Sequence, residues 1–290
     1  MLVCRTSPGV GQSGCCRLHG YHPNQAKRRR RYPSDLTDHQ WAILDPLLPD
    51  PAWATPAGGR PEKHCRRCIV DAILYINDNG IKWRSLPGDF PPWPTVYTIW
   101  RKWEKTTASQ TILDTLRGRD RLAHQRHPTA TAAVIDSASI KGSPEVSAAT
   151  RGYDAGKKIN GRKRHISVDT QGNLITVVVT PASVQDRDGA KPLLEATRAI
   201  EPNITKVWAD GGYAGKLVDW AQDQYKIDLD IVKRNELHCF KVLPRRWVVE
   251  RTLGWIDRNR RCVKDYERLP ENHEAWVRWT EIRRLLRHHP

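Results

Sequence analysis

Between residues 131 and 182 three strand-like runs follow one another with no helical interval: TAAVIDSASI, RKRHISVDTQG and NLITVVVTPA. Runs of that length in direct succession pair through short turns, and Gln171-Gly172-Asn173 supplies one. The habit then changes. DRDGAKPLLEATRAI is helical, ITKVWAD a strand, KLVDWAQDQYKI a helix and LDIVKR a strand. A helix between two strands is a crossover connection, which makes those strands parallel. A chain with both habits is constrained to an α/β fold, a mixed sheet flanked by helices.

The flanking sequence adds helices. Residues 244–262, PRRWVVERTLGWIDRNRRC, predict one with Pro244 near its start, and residues 271–288 predict a last one. Residues 32–128 read as mostly helical. SDLTDHQWAILDPLLP has cap residues ahead of an apolar-periodic run. In RPEKHCRRCIVDAILYINDNG, the residues Cys65, Cys68, Ile69, Ala72, Ile73 and Ile76 fall on one stripe, and Gly80 would end the helix. TVYTIWRKWEK sets an apolar face of Val96, Ile99, Trp100 and Trp103 against Arg101, Lys102 and Lys105. Short helices with such a basic, aromatic-anchored member suit a helix-turn-helix-like DNA-binding unit. A small bundle with a solvated basic face is the plain alternative. Residues 1–31, rich in Gly, Ser and Arg and ending in KRRRR, are expected to be a disordered basic tail. The expected organisation is therefore a tail (1–31), a helical DNA-binding domain (32–128) and a mixed-sheet domain (129–290).

Several classes are set aside. No apolar run approaches the roughly 18–20 residues that span a bilayer, so no membrane partner is expected. The first twenty residues lack the apolar stretch of a secretory signal, which points to the cytoplasm. Seven cysteines at irregular spacing argue against a disulfide framework. His64, Cys65 and Cys68 make half a zinc site at most, and both cysteines already belong to the apolar stripe.

The formal net charge of +16 points to a polyanion, nucleic acid above all. RGYDAGKKINGRKRH carries Arg151, Lys157, Lys158, Arg162, Lys163 and Arg164 against the single acid Asp154. It would grip phosphates, or else form a solvated hairpin.

Against that positive background two strands end on isolated acids beside small residues: Asp136 in AAVIDSASIKG and Asp210 in KVWADGGYAG. Taken singly, each reads as an aspartate capping a turn. Together, on one sheet, they could bring two carboxylates to one edge, with Gly211 and Gly212 clearing space beside Asp210. Glu250 in RRWVVERTLGW is a third acid, sharing a helical stripe with Arg246 and Asp257, while Val249, Leu253 and Ile256 face a core. His165 reads as a core histidine and Asp169 as a turn cap.

VIDSASIKG, GKKINGRKRHISVDTQGNL, WADGGYAG and LPRRWVVERTLGW, together with the N-terminal YPSDLTDHQWAILDPLLP and GIKWRSLPGDFPPWPTVYTIWRKW, resemble the DDE transposases of the IS5 family of bacterial insertion sequences over about residues 32–287. The resemblance implies an RNase H-like core. It maps the family's three metal-binding acids onto Asp136, Asp210 and Glu250, spaced 74 and 40 residues apart. It implies two Mg²⁺ ions, with Mn²⁺ an acceptable substitute, holding the reacting phosphodiester. It also implies double-stranded DNA as partner, both transposon ends and target, a homodimer or higher oligomer at synapsis, and association with the nucleoid. Arg245 and Arg246 would flank the scissile phosphate. Of the family's Tyr, Arg, Glu and Lys around the glutamate, Arg246 and Glu250 are present, Leu243 replaces the Tyr, and Asp257 followed by Arg258 replaces the Lys. A regulatory DNA-binding protein of transposase descent and a nuclease that cleaves without joining are the competing readings.

Overall fold

A computed structural model describes residues 30–56, 58–232 and 246–288. Most of the expected basic tail lies outside them, as do Leu243 and Arg245. Four helices come first: α1 (Asp38–Leu44), α2 (Arg66–Asn79), α3 (Trp93–Lys105) and α4 (Ala108–Ala123). Thr37 and Gln40 close a reciprocal capping box at the start of α1. Gly80, with φ of 67°, ends α2 in the left-handed conformation that a side chain would disfavour. Cys65 is disulfide-bonded and Cys68 is buried on α2.

The sheet follows as β1 (Ala132–Lys141), β2 (Gly152–Asp154), β3 (Ile159–Asp169), β4 (Leu174–Pro181), β5 (Lys206–Asp210) and β6 (Asp228–Val232). Helices α5 (Asp186–Ile200) and α6 (Lys216–Tyr225) cross over between β4 and β5 and between β5 and β6. β3 pairs antiparallel with β1 on one side and with β4 and β2 on the other. β1, β5 and β6 run parallel. The order β4-β3-β1-β5-β6 is the mixed, RNase H-like sheet that the strand pattern predicts. Helices α7 (Arg246–Ile256), α8 (Arg260–Val263) and α9 (Pro270–His288) complete the chain.

Alternation along the strands sorts side chains into two cores. Ala133, Ile135, Val207, Ala209 and Leu229 pack with Leu193, Leu194 and Leu217 of α5 and α6. Val134, Ile166, Val168 and Val177 face the other way, into a core built by α4, α7 and α9. That second core also holds the first helices. Trp100 stacks on Trp276 with ring centroids 5.0 Å apart, Trp103 lies 6.1 Å from Trp279, and Trp279 Nε1 donates to Glu104 Oε1 at 2.8 Å. Residues of 32–128 and of 129–290 are thus interleaved in one apolar interior.

Two elements depart from the sequence expectation. α4 is hidden by its arginines: Arg117 and Arg121 are buried, neutralised by Asp114, Glu201 and Asp169. The helix expected over 244–262 breaks at 257–259, where Asp257 turns to pair with Arg164 at 2.8 Å and the Cys262 carbonyl accepts from the same guanidinium.

Candidate active site at the strand tips

The parallel register of β1 and β5 pairs Ala132 with Lys206, Ala133 with Val207 and Val134 with Trp208. Two residues further along stand Asp136 and Asp210. Asp210 is the last residue of β5, whereas Asp136 lies in mid-strand, because β1 stays paired with β3 and runs on to Lys141, so the expectation that its strand ends on Asp136 is not met. Val134 and Trp208 face the α7 and α9 core, so strand alternation turns Asp136 and Asp210 to that same face. α7 packs across β1, β3 and β5 on it, docking Val248, Val249 and Ile256. Glu250 lies on the exposed side of this helix. Among the described residues no group of three His, Cys, Asp or Glu is arranged to hold a metal ion, so the aspartate pair and Glu250 do not form a closed three-carboxylate set in this conformation.

Asp210 also performs the turn-capping task expected of it alone, whereas Asp136, inside β1, caps no turn. Asp136 Oδ1 accepts from the Ser137 N–H at 2.7 Å, and Asp210 Oδ1 accepts from the Gly212 N–H at 2.8 Å, capping the turn Gly211–Tyr213. The glycines do clear the space. A Cβ on Gly211 would meet nothing within 4 Å, whereas one on Gly212 would approach Asp210 Oδ1 at 3.0 Å.

Sequence reasoning missed the groups around the pair. Asp186, at the start of α5, accepts from Ser137 Oγ at 2.7 Å and pairs with Lys163 Nζ at 2.9 Å. Burial works to raise its pKa, but those two hydrogen bonds and the charges of Lys163 and Lys157 hold it below the usual carboxylate range. Its other oxygen faces the same position beside Gly212 that Asp210 does. Lys163 also reaches Asp154 at 3.5 Å. Asp154 is lowered to about 2, first by the Ser139 hydroxyl. Tyr213 is buried, with its hydroxyl near Ser137. Burial, then the charges of Asp136 and Asp186, push its phenol well above its ordinary range. In the sequence, Asp186 and Asp188 read as ordinary helix-start acids. Only the β1 register reveals what Asp186 meets.

The basic residues divide. Arg162, Lys163 and Arg164 are buried and committed inside the protein: Arg162 to Asp265 at 2.8 Å, Lys163 to Asp186, Arg164 to Asp257. They lie on β3, paired on both sides, so they serve as interior counter-ions rather than an open phosphate grip. Lys157 and Lys158 remain exposed at the β2–β3 turn, and Lys102 and Lys105 remain exposed on α3. Arg101 is half-buried and donates to Asn272 at 3.0 Å. Arg246 opens α7. His165 is buried against Thr180, and Asp169 accepts from the N–H groups of Gln171 and Asn173, as a core histidine and a turn cap should.

Known proteins resemble this chain over two stretches. A family model described as a transposase DDE domain matches residues 127–280. A second, for candidate transposases of the IS4/5 family, matches residues 36–113. A candidate transposase of insertion sequence element IS402 from Burkholderia cepacia is 31% identical over 140 residues, covering 43% of this chain and 65% of that protein. An uncharacterized 16.2 kDa protein of the same element and organism is 26% identical over 113 residues, covering 37% of this chain and 72% of its own length. The matching part of the chain thus spans less than two thirds of the first of these relatives. A piggyBac transposase synaptic complex with hairpin DNA aligns at a TM-score of 0.27 and 12% identity, over 52% of this chain and 29% of that one, too slight a likeness to carry any argument. With the matched model covering more than half of its length, this chain belongs to the transposase DDE domain family.

Proposed function

We propose that the chain is a DNA transposase of an insertion sequence, cutting transposon ends and joining them to target DNA. The observation that carries this reading is the level placement of Asp136 and Asp210 on neighbouring parallel strands, under the helix that bears Glu250. In the first stage water attacks a phosphodiester at the transposon end and the 3′-oxygen leaves as a hydroxyl. In the second that 3′-hydroxyl attacks a target phosphodiester in line, forming one new bond and releasing one strand end. Neither stage needs a covalent enzyme intermediate.

The residue types fit a hard divalent cation: carboxylate oxygens of Asp136 and Asp210 on neighbouring strands, with open space at Gly211 for a DNA backbone. Asp136 and Asp210 would hold two Mg²⁺ ions, with Glu250 completing the set when DNA draws the exposed side of α7 toward the pair. Bound there, the ions would lower the pKa of the attacking oxygen and stabilise the leaving one. Each carboxylate is oriented by a local backbone N–H, of Ser137 for Asp136 and of Gly212 for Asp210. Lys157, Lys158, Lys102 and Lys105 would hold phosphates of the flanking duplex. We assign residues 32–128 the grip on terminal DNA and 129–290 the chemistry.

A strand-transfer assay with cognate ends and Mg²⁺ tests this. The wild type should yield joined product, and Asp210→Ala should lose at least about 10³-fold in rate, the scale of one pre-placed electrostatic group, while still binding DNA. Full activity in Asp210→Ala would end the metal reading. Cleavage without joining would mark a nuclease, and binding without either a regulatory protein.

A further inference from the structure

The turn after α7 and the last turns of α9 enclose a cleft of about 160 Å³ whose lining includes Trp255, Arg258, Arg283, Arg284 and Arg287 together with one carboxylate, Glu281. Its arginines differ in their commitments. Arg283 is held by Asp78 at 2.6 Å, and Arg284 by Glu281 at 2.8 Å and by Asn173 at 2.7 Å. Trp255 takes the guanidinium of Arg284 at 4.5 Å and that of Arg251 at 4.4 Å from its ring centroid. Arg258 and Arg287, both exposed, form no ion pair among the described residues. Partial burial, then Arg283, lowers the pKa of Arg287; Asp78 opposes this and Arg30 adds to it. With Arg283 and Arg284 already paired, the positive charge left to offer an anion is that of Arg258 and Arg287.

The position narrows the ligand. Asp257, one residue before Arg258, is tied to Arg164, whose strand partner Ala138 lies two residues past Asp136. The cleft therefore lies on the same side of the sheet as the aspartate pair. Trp255 is already occupied by two guanidiniums, so it offers no platform for a base. What remains on offer is the forked cationic donors of Arg258 and Arg287, which suit backbone phosphate.

We propose that this cleft binds backbone phosphates of duplex DNA through Arg258 and Arg287. This rests on the transposase reading, since it takes DNA as the ligand. The test uses the full chain and a labelled terminal duplex, with fluorescence anisotropy recorded from low to moderate KCl. Arg258→Ala/Arg287→Ala should lower the slope of log K against log salt by about 1.8, at about 0.9 for each phosphate no longer neutralised, with an unchanged circular dichroism melt. An unchanged slope in a wild-type-like, DNA-binding background overturns the cleft alone. A wild type that binds no duplex overturns both the cleft and the transposase reading. Millimolar inorganic phosphate supplies the other arm: if it raises the melting temperature of the wild type but not of the double variant, with DNA affinity equal in both, the cleft serves a free anion and the proposal fails.

Discussion

His165 should make this protein lose stability on mild acidification. Its ring is buried beneath α5, where Gly189 approaches so closely that a Cβ there would fall 2.1 Å from Cε1. Nε2 meets Thr180 Oγ1 at 3.0 Å, and Nδ1 has no hydrogen-bond partner among the described residues. Burial lowers the pKa from 6.5 to about 4; the charge of Asp186 opposes this, and Lys163 and Lys157 assist it. Above pH 6.5 the ring is neutral whether folded or unfolded, and nothing is lost. Below it, only the unfolded chain takes up the proton, so stability falls until the folded ring titrates near pH 4. At about 1.4 kcal/mol per pH unit the full loss is about 3 kcal/mol, and about 2 kcal/mol has gone by pH 5. Urea unfolding at pH 7.5 and pH 5 measures it. Carboxylates titrate over the same range, so the quantity to read is the difference between the wild type and His165→Gln, which keeps a group able to meet Thr180. The variant should show a pH loss smaller by about 2 kcal/mol. Equal losses in both proteins would show that the ring is not the titrating group.

Two more outcomes follow from the placement of side chains. Arg162→Ala removes the closest cation from buried Asp265, which keeps the Glu267 N–H and the His273 ring, and should cost about 3 kcal/mol, read by urea unfolding, whereas the salt slope of DNA binding should stay as in the wild type. Trp100→Ala should cost about 3–5 kcal/mol. It should do so in one transition seen alike by far-UV circular dichroism and tryptophan fluorescence, because both halves of the chain share that core.

Legibility tracked how local each signal was. The strands and their order of appearance were plain, since β-period and helix-period apolar runs differ over a few residues. Gly80 and Thr37 marked helix ends through backbone chemistry alone. α4 was not visible because its inward arginines mimic a solvated surface, and besides the local Asp114 their counter-ions, Asp169 and Glu201, are distant in sequence. The same reason misplaced Arg162, Lys163 and Arg164: three cations in a row look like a phosphate grip until their counter-ions at 186, 257 and 265 are brought in by the fold. Asp210 announced itself by its position at a strand end; the small residues after Asp136 looked like a turn, but the strand continues through them to Lys141, paired with β3. Asp186 and Tyr213 did not, because their relation to the pair exists only through the register of β1 and the turn after β5.

The indole stacks between α3 and α9 also bear on how DNA would be measured out. A duplex seated on α3 could not swing independently of Asp136 and Asp210, because no slack chain separates the two regions. The protein body would then act as a caliper, and the spacing between the recognised repeat and the cut bond would be read in fixed steps. Inserting one base pair turns that bond by about 34° around the duplex axis, away from the carboxylates, with no hinge to follow it.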